Sequence, residues 1–296
     1  MKSKVNVKCW KVLGIIILAV AFLAGCAAKK PFWGDPETGL VFQYRLSSGQ
    51  AVTFESNTMD VQSMEMMGQA VDTETNVTSN YTVQGKGLDK DKNILSEAKF
   101  NSLTIDVSSP QGDMDIDTSP VIGKPFGVTF SPLGKELDYS GIDSTMMISM
   151  GQAGNRSIKD LFRNPLQDLP DHPVKIGDSW MDIDSLTTPQ GGLDITIKTE
   201  NELTFEGFEE VEGIECAKIT VKGNGTIDGS GQQMGMDVAL EGDLEIGGTL
   251  YFAYKKGMFV KTITETFTEM TAALSGQMNM TIPITQESKS EVNLIQ

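Results

Sequence analysis

The chain has 296 residues, with 40 acidic side chains against 24 lysines and arginines, a formal net charge of −16, one histidine and three cysteines. A surface this acidic repels phosphate backbones and anionic headgroups, which excludes nucleic acid as a partner. The single histidine excludes a multi-histidine zinc centre and leaves His172, in a proline-flanked connector, as the only imidazole base for a Ser-His-Asp arrangement.

The amino terminus reads as an export signal. Lys2, Lys4, Lys8 and Lys11 precede an apolar run from Val12 to Leu23, shorter than the about 20 residues that cross a bilayer. The run ends in Leu23-Ala24-Gly25-Cys26, which resembles the lipobox of bacterial lipoproteins. That resemblance implies cleavage after residue 25, acylation of Cys26 and a lipidated tether over 26–37. Two or more acyl chains hold a protein stably on a membrane. Ala27 after the cysteine implies the periplasmic face of the outer membrane if the host is Gram-negative. Cleavage removes four lysines and no acid, so the mature chain is more acidic still and should meet the bilayer through its acyl chains. It also removes Cys9, and with Cys26 spent on lipid only Cys216 is left, so no intramolecular disulfide is available.

Beyond residue 38 the hydrophobic period is two almost throughout. Leu193, Ile195, Ile197, Leu203 and Phe205 fall on one face of a strand, and Asp194, Lys198, Glu200, Glu202 and Glu206 on the other. A still longer run leads from Met236 through Val238, Leu240, Leu244, Ile246, Leu250, Phe252 and Tyr254. Ordinary strands average about 5–6 residues, so these lengths predict a large curved sheet, a sandwich or an open barrel. A helix is expected only around Ser157–Leu169, with Ser157 as N-cap, Ile158, Leu161 and Phe162 on one face, and Pro165 as a stop. The chain also matches itself. YTVQG at 81–85, EAKFNSLTID at 97–106 and VTFSPLGKEL at 128–137 return in order as LTFEG at 203–207, CAKITVKGNGTID at 216–228 and LYFAYKKGMFV at 250–260. The fold class expected is therefore all-β, with two related antiparallel lobes over 38–142 and 174–296, joined by a helical or loop connector over 143–173.

Several of these segments carry a family resemblance. YRLSSGQ at Tyr44, SMEMMGQ at Ser63, the YTV strand leading to DKDKN, SPQGDMDIDTS at Ser109 and LPDHPVKIGDSW ending at Trp180 together resemble an uncharacterised family of exported, Met-rich, β-rich bacterial proteins. The resemblance implies export and a β fold, with no assigned activity. Lys92 stands where that family's hairpin usually has glycine. There is also a fold-level analogy to the open half-barrels that carry lipids and lipoproteins in bacterial envelopes.

Methionines are the candidate ligand lining. In a strand, M-x-M puts both side chains on one face, and Met64, Met66, Met67, Met234, Met236, Met278 and Met280 fall in such groups. Such residues fill cores, line grooves for apolar ligands, or hold Cu(I) through paired thioethers. Asp89, Asp91 and Asn93, and Asp113, Asp115 and Asp117, have the 1, 3, 5 spacing of a calcium loop but lack its glycine and its closing glutamate. No phosphate loop, dinucleotide fingerprint or nucleophile elbow is present, no carboxylate pair stands out for hydrolysis, and no cofactor is implied. The expectation is a lipid-anchored, non-catalytic envelope protein that binds or scaffolds, with an apolar ligand or an envelope protein as partner. A copper-binding protein and a carboxylate-based hydrolase are the alternatives.

Overall fold

The computed structural model describes residues 31–66, 68–142, 145–150, 155–162, 166–190, 192–233, 235–276 and 279–295. The expected signal segment over 1–25, Cys26, Met67, Pro165, Met234 and Met278 lie outside them. The chain begins with β1 (Gly34–Asp35) and β2 (Gly39–Leu40), then the long strands β3 (Ala51–Met66), β4 (Gln69–Leu88) and β5 (Ile94–Ser108). Shorter pieces follow: β6 (Met114–Asp115), β7 (Phe126–Phe130), β8 (Glu136–Ser140), β9 (Met147–Ser149), β10 (Asn155–Ser157) and the single helical turn α1 (Ile158–Leu161). Six long strands complete it: β11 (Ser179–Gln190), β12 (Leu193–Val211), β13 (Ile214–Gln233), β14 (Met236–Ala253), β15 (Met258–Ser275) and β16 (Met280–Leu294).

The long strands and β7 and β8 form one antiparallel sheet in the order β11-β12-β13-β14-β15-β16-β3-β4-β5-β7-β8, with β6 beside β5. The two halves of the sequence are thus joined edge to edge, through β16 and β3. A strand the length of β12 spans about 60 Å. One face of the sheet carries the core and is nearly bare of side chains along part of β13 and β14, where Gly223, Gly225, Gly229, Gly231, Gly242 and Gly248 fall in phase with Val221 and Leu244. Missing side chains let a sheet bend toward that face. At Gly225 the Leu244 side chain moves into the space, 3.2 Å from where a Cβ would stand.

The duplication is visible as coincident irregularities. Lys86 is the extra residue of a bulge in β4 and Glu206 of one in β12, each followed by a left-handed glycine, Gly87 and Gly207. Bulges recur at Leu137 in β8, opposite Thr129 and Phe130, and at Val260 in β15, opposite Tyr251 and Phe252. Even the lead-ins agree: Gly85 exchanges backbone bonds with Gly49 and Gln50, as Phe205 does with Gly177 and Asp178. The repeat is therefore offset by two residues from the sequence match, since Gly207 corresponds to Gly87 rather than Gly85. A shift of two leaves every side chain on its own face, so the hydrophobic pattern could not reveal it.

The core fills one end of the curved sheet. Residues 40–46 run beneath it as an extended strap, bonded to Val174, Pro132 and Gly257, and drive Leu40, Phe42 and Tyr44 inward. Phe42 is fully buried, 5.3 Å from Phe205, 5.7 Å from Phe252 and 6.4 Å from Trp180 between ring centres. The connector closes the same end. Ile158 and Phe162 are buried, with Phe162 against Tyr81, Phe100 and Phe126, and Ser157 caps α1 by accepting the Lys159 N–H. The helix is a single turn rather than the longer one expected, because the strand β10 runs directly into it and Phe162 turns into the core.

Candidate functional site

The terminal strands of the sheet, β8 and β11, do not pair with each other. They face each other across a groove of about 510 Å³, floored by β12 to β15 and walled by residues 166–168 of the connector. This open seam lies on the core-bearing face, and its chemistry follows from the strand period. Asp182 and Asp184, two apart on β11, both point into it. Thr262, Thr264 and Thr266 do the same from β15. Asp168 is fixed by its neighbours: the Trp180 indole N–H donates to its carbonyl at 3.1 Å, the Tyr44 hydroxyl to the Gln167 carbonyl at 3.1 Å, and the Leu169 N–H to the Leu133 carbonyl at 2.8 Å.

Electrostatically the seam is short of positive charge. Burial, then repulsion from Asp168 and Asp184, pushes the Asp182 carboxyl up to about 6, against a hydrogen bond from Asn201 and attraction from Lys135. Asp168 is raised as well, first by burial, with Asp184 adding to the shift and Lys135 opposing it. Asn201 lies directly across the ladder from Asp182 and is 8 % exposed. Its Oδ1 sits over Gly223 and accepts no hydrogen bond among the described residues. A buried carbonyl oxygen without a donor costs about 1–3 kcal/mol. Five carboxyls, of Glu136, Asp138, Asp168, Asp182 and Asp184, line the groove against Lys135 and Lys159, and with this oxygen they make a site richer in acceptors than in donors, suited to a ligand that brings donors and positive charge. No three His, Cys, Asp or Glu side chains among the described residues are grouped to hold a metal ion.

The methionines lie elsewhere on the same face. Met64 on β3 and Met280 on β16 are half-buried at the end of the sheet opposite the aromatic core. They pack with Met270 on Ala272, Ile282 and Ile284. Met236 opens β14 in phase with Val238 and Leu240, beside Gly276, and Met66 closes the β3–β4 ladder opposite Gln69. The apolar lining expected from the sequence is thus a small distal cluster, some way along the strands from the seam. A small apolar cavity is elsewhere again, at the aromatic end, lined by Tyr44, Phe54, Tyr81, Phe130, Phe162 and Phe259; at about 60 Å³ it has room for a few waters.

Other residues singled out by the sequence have local roles. His172 is exposed, with Nδ1 2.9 Å from Asp171. The Asp89 carboxylate accepts the N–H groups of Asp91 and Asn93 and the Asn93 amide, which holds its own level below the usual carboxylate range. Asp113 accepts the Ser108 hydroxyl and Asp117 the Ser119 N–H. Both acidic runs therefore serve hairpin and turn geometry. Cys216 faces away from the main core and is fully buried with Ala253 and Val260, neither solvent-facing nor on an edge strand. Burial pushes its thiol up to about 11, so it is unreactive at neutral pH. The seam itself was missed by sequence reasoning. Asp182 and Asp184 are an ordinary alternation in one strand, and only the fold brings Asp168, a connector residue, to them.

Neither a protein-family profile nor a curated protein matches the chain. Among solved structures, the chain is similar to the COG4313 outer membrane channel from Pseudomonas putida F1, at 9% identity over 85% of this chain and 97% of that one, with a TM-score of 0.26. A DUF1329 family protein from Desulfovibrio piger is similar at 12% identity over 82% of this chain and 84% of that one, with a TM-score of 0.13. These scores are too low to carry an inference about function.

Proposed function

We propose that this chain is a lipid-anchored, non-catalytic binding protein of the bacterial cell envelope, held to its membrane through Cys26, whose ligand occupies the seam between β8 and β11. The export signal and lipobox support the location. The observation that carries the binding role is the seam itself, a groove of about 510 Å³ with an acceptor-rich wall and unpaired strands on both sides. An apolar lipid is the weaker of the two ligand classes expected for this seam, because carboxyls and threonines line it. An envelope protein fits better.

The test is native mass spectrometry of the protein released gently from its own membranes. Retained mass beyond the acyl chains, lost in Thr264→Trp, which fills the seam floor, supports the reading; mass retained unchanged in that variant refutes it. A second reading, a carboxylate-based hydrolase, is favoured by one observation: Asp182, raised to about 6 beside Asp168, has the character of a general acid. Turnover of a glycoside or ester panel that disappears in Asp182→Asn would select it instead.

A further inference from the structure

We infer that the seam captures an extended segment of another protein, which adds as a strand to β11 and alternates apolar with basic side chains. The inference rests on the seam being the binding site and specifies its occupant.

Three observations converge on β11. It is the last strand of the sheet order and, among the described residues, is paired on one side only, with β12. An unpaired edge offers a row of backbone donors and acceptors that an incoming strand can satisfy. Its two faces differ in a way that prescribes the partner. Met181 and Ile183 are 56 % and 69 % exposed, whereas Asp182 and Asp184 are in phase with the buried Trp180 and so share the face that carries the core and the seam. A strand laid on β11 keeps the period of two, so its side chains meet apolar groups on one face and carboxylates on the other. The third observation is the Asn201 Oδ1, on a residue more than nine-tenths buried in the seam wall and without a donor among the described residues, in a groove whose lining sets Glu136, Asp138, Asp168, Asp182 and Asp184 against Lys135 and Lys159. Lysine or arginine side chains entering the seam supply the missing donors and charge. Charge also decides against a second copy of this chain. Two β11 strands paired with each other would oppose Asp182 and Asp184 to their own kind, and like charges across a ladder are destabilising. The Asp184 carboxylate accepts the Ser185 N–H at 2.7 Å, a local cap that the incoming strand would displace.

The probe is a fluorescein-labelled heptapeptide, acetyl-Val-Lys-Val-Lys-Val-Lys-Val-amide, titrated with the complete mature protein and read by anisotropy. Binding is expected, with glutamate or serine in place of lysine weakening it by about tenfold or more. Asp182→Asn with Asp184→Asn should weaken the lysine peptide similarly without altering the fold, since both exchanges preserve shape. N-methylation of alternate valines, which removes backbone donors and leaves charge intact, should abolish it. Equal binding of the serine peptide, or of the N-methylated peptide, overturns the inference. So does absence of binding while a natural adduct sensitive to Thr264→Trp persists, which leaves the seam as a site for something else. Absence of both overturns the seam reading as well.

Discussion

Asp182 on β11 stands directly across the ladder from Asn201 on β12, and the amide hydrogen-bonds its carboxyl. The bond does not offset burial and the like charges of Asp168 and Asp184, so the carboxyl ionises near 6 rather than 3.8. Between those values the folded chain binds more protons than the unfolded one, and stability falls as pH rises through that window. Asp182→Asn removes the penalty. The expected outcome is a higher melting temperature than the parent above about pH 6, converging with it below about pH 4. A difference independent of pH would show that the carboxyl is not under this pressure.

Gly242 and Gly247 sit on the same strand and predict opposite outcomes. A Cβ at Gly242 would stand 2.5 Å from the Met270 Cβ and 2.6 Å from the Glu269 carbonyl oxygen, whereas at Gly247 it would meet nothing within 4 Å. Gly242→Ala should cost about 1–3 kcal/mol in denaturant unfolding. Gly247→Ala should be neutral or stabilising by up to about 1 kcal/mol, through the unfolded chain.

Phe42 belongs to an irregular strap rather than to the sheet, yet it touches rings from β11, β12 and β14. Phe42→Ala should therefore cost about 3–5 kcal/mol, as for a phenylalanine in a regular core element. A loss below about 1 kcal/mol would mean the strap is not part of the cooperative unit. Urea unfolding followed by tryptophan fluorescence reads this directly through Trp180.

Lys92, at the β4–β5 turn, has φ of 68°, a conformation that costs a residue with a Cβ about 1–2 kcal/mol. Glycine recovers that strain and gives back part of it as unfolded-state entropy. Lys92→Gly should raise stability by about 0.5–1 kcal/mol. No gain would indicate that the hydrogen bonds of Asp89 to Asp91 and Asn93 set the turn and bear its strain.

The all-β class, the long strands and the duplication were legible because the side-chain period of a half-buried strand is two, and a sequence records that period directly. Leu193 to Phe205 alternates as expected and its inward members are buried or half-buried. The acidic runs at Asp89 and Asp113 spend carboxylates on local hairpin and turn bonds, a role that turn chemistry in the sequence already allowed. Helix length was over-read at Ser157–Leu169 because the i, i+3, i+4 pattern of Ile158, Leu161 and Phe162 is equally satisfied by one turn capping an aromatic core.

What the amino-acid order determined by itself was local: which residues alternate, where turns must fall, and which chemistries lack their side chains. Only the tertiary structure decided that both halves share one sheet through β16 and β3. Only it placed Met64, Met270 and Met280 in a distal packing cluster and left β8 and β11 facing across an unpaired seam. Strand pairing between residues more than two hundred apart, as in Ile284 with Met64, depends on register and curvature summed over the whole sheet. Asp168 and Asp182 meet through the packing of the connector, which the Trp180 indole, the Tyr44 hydroxyl and the Leu133 carbonyl hold against β11, and neither residue's neighbours in sequence indicate it.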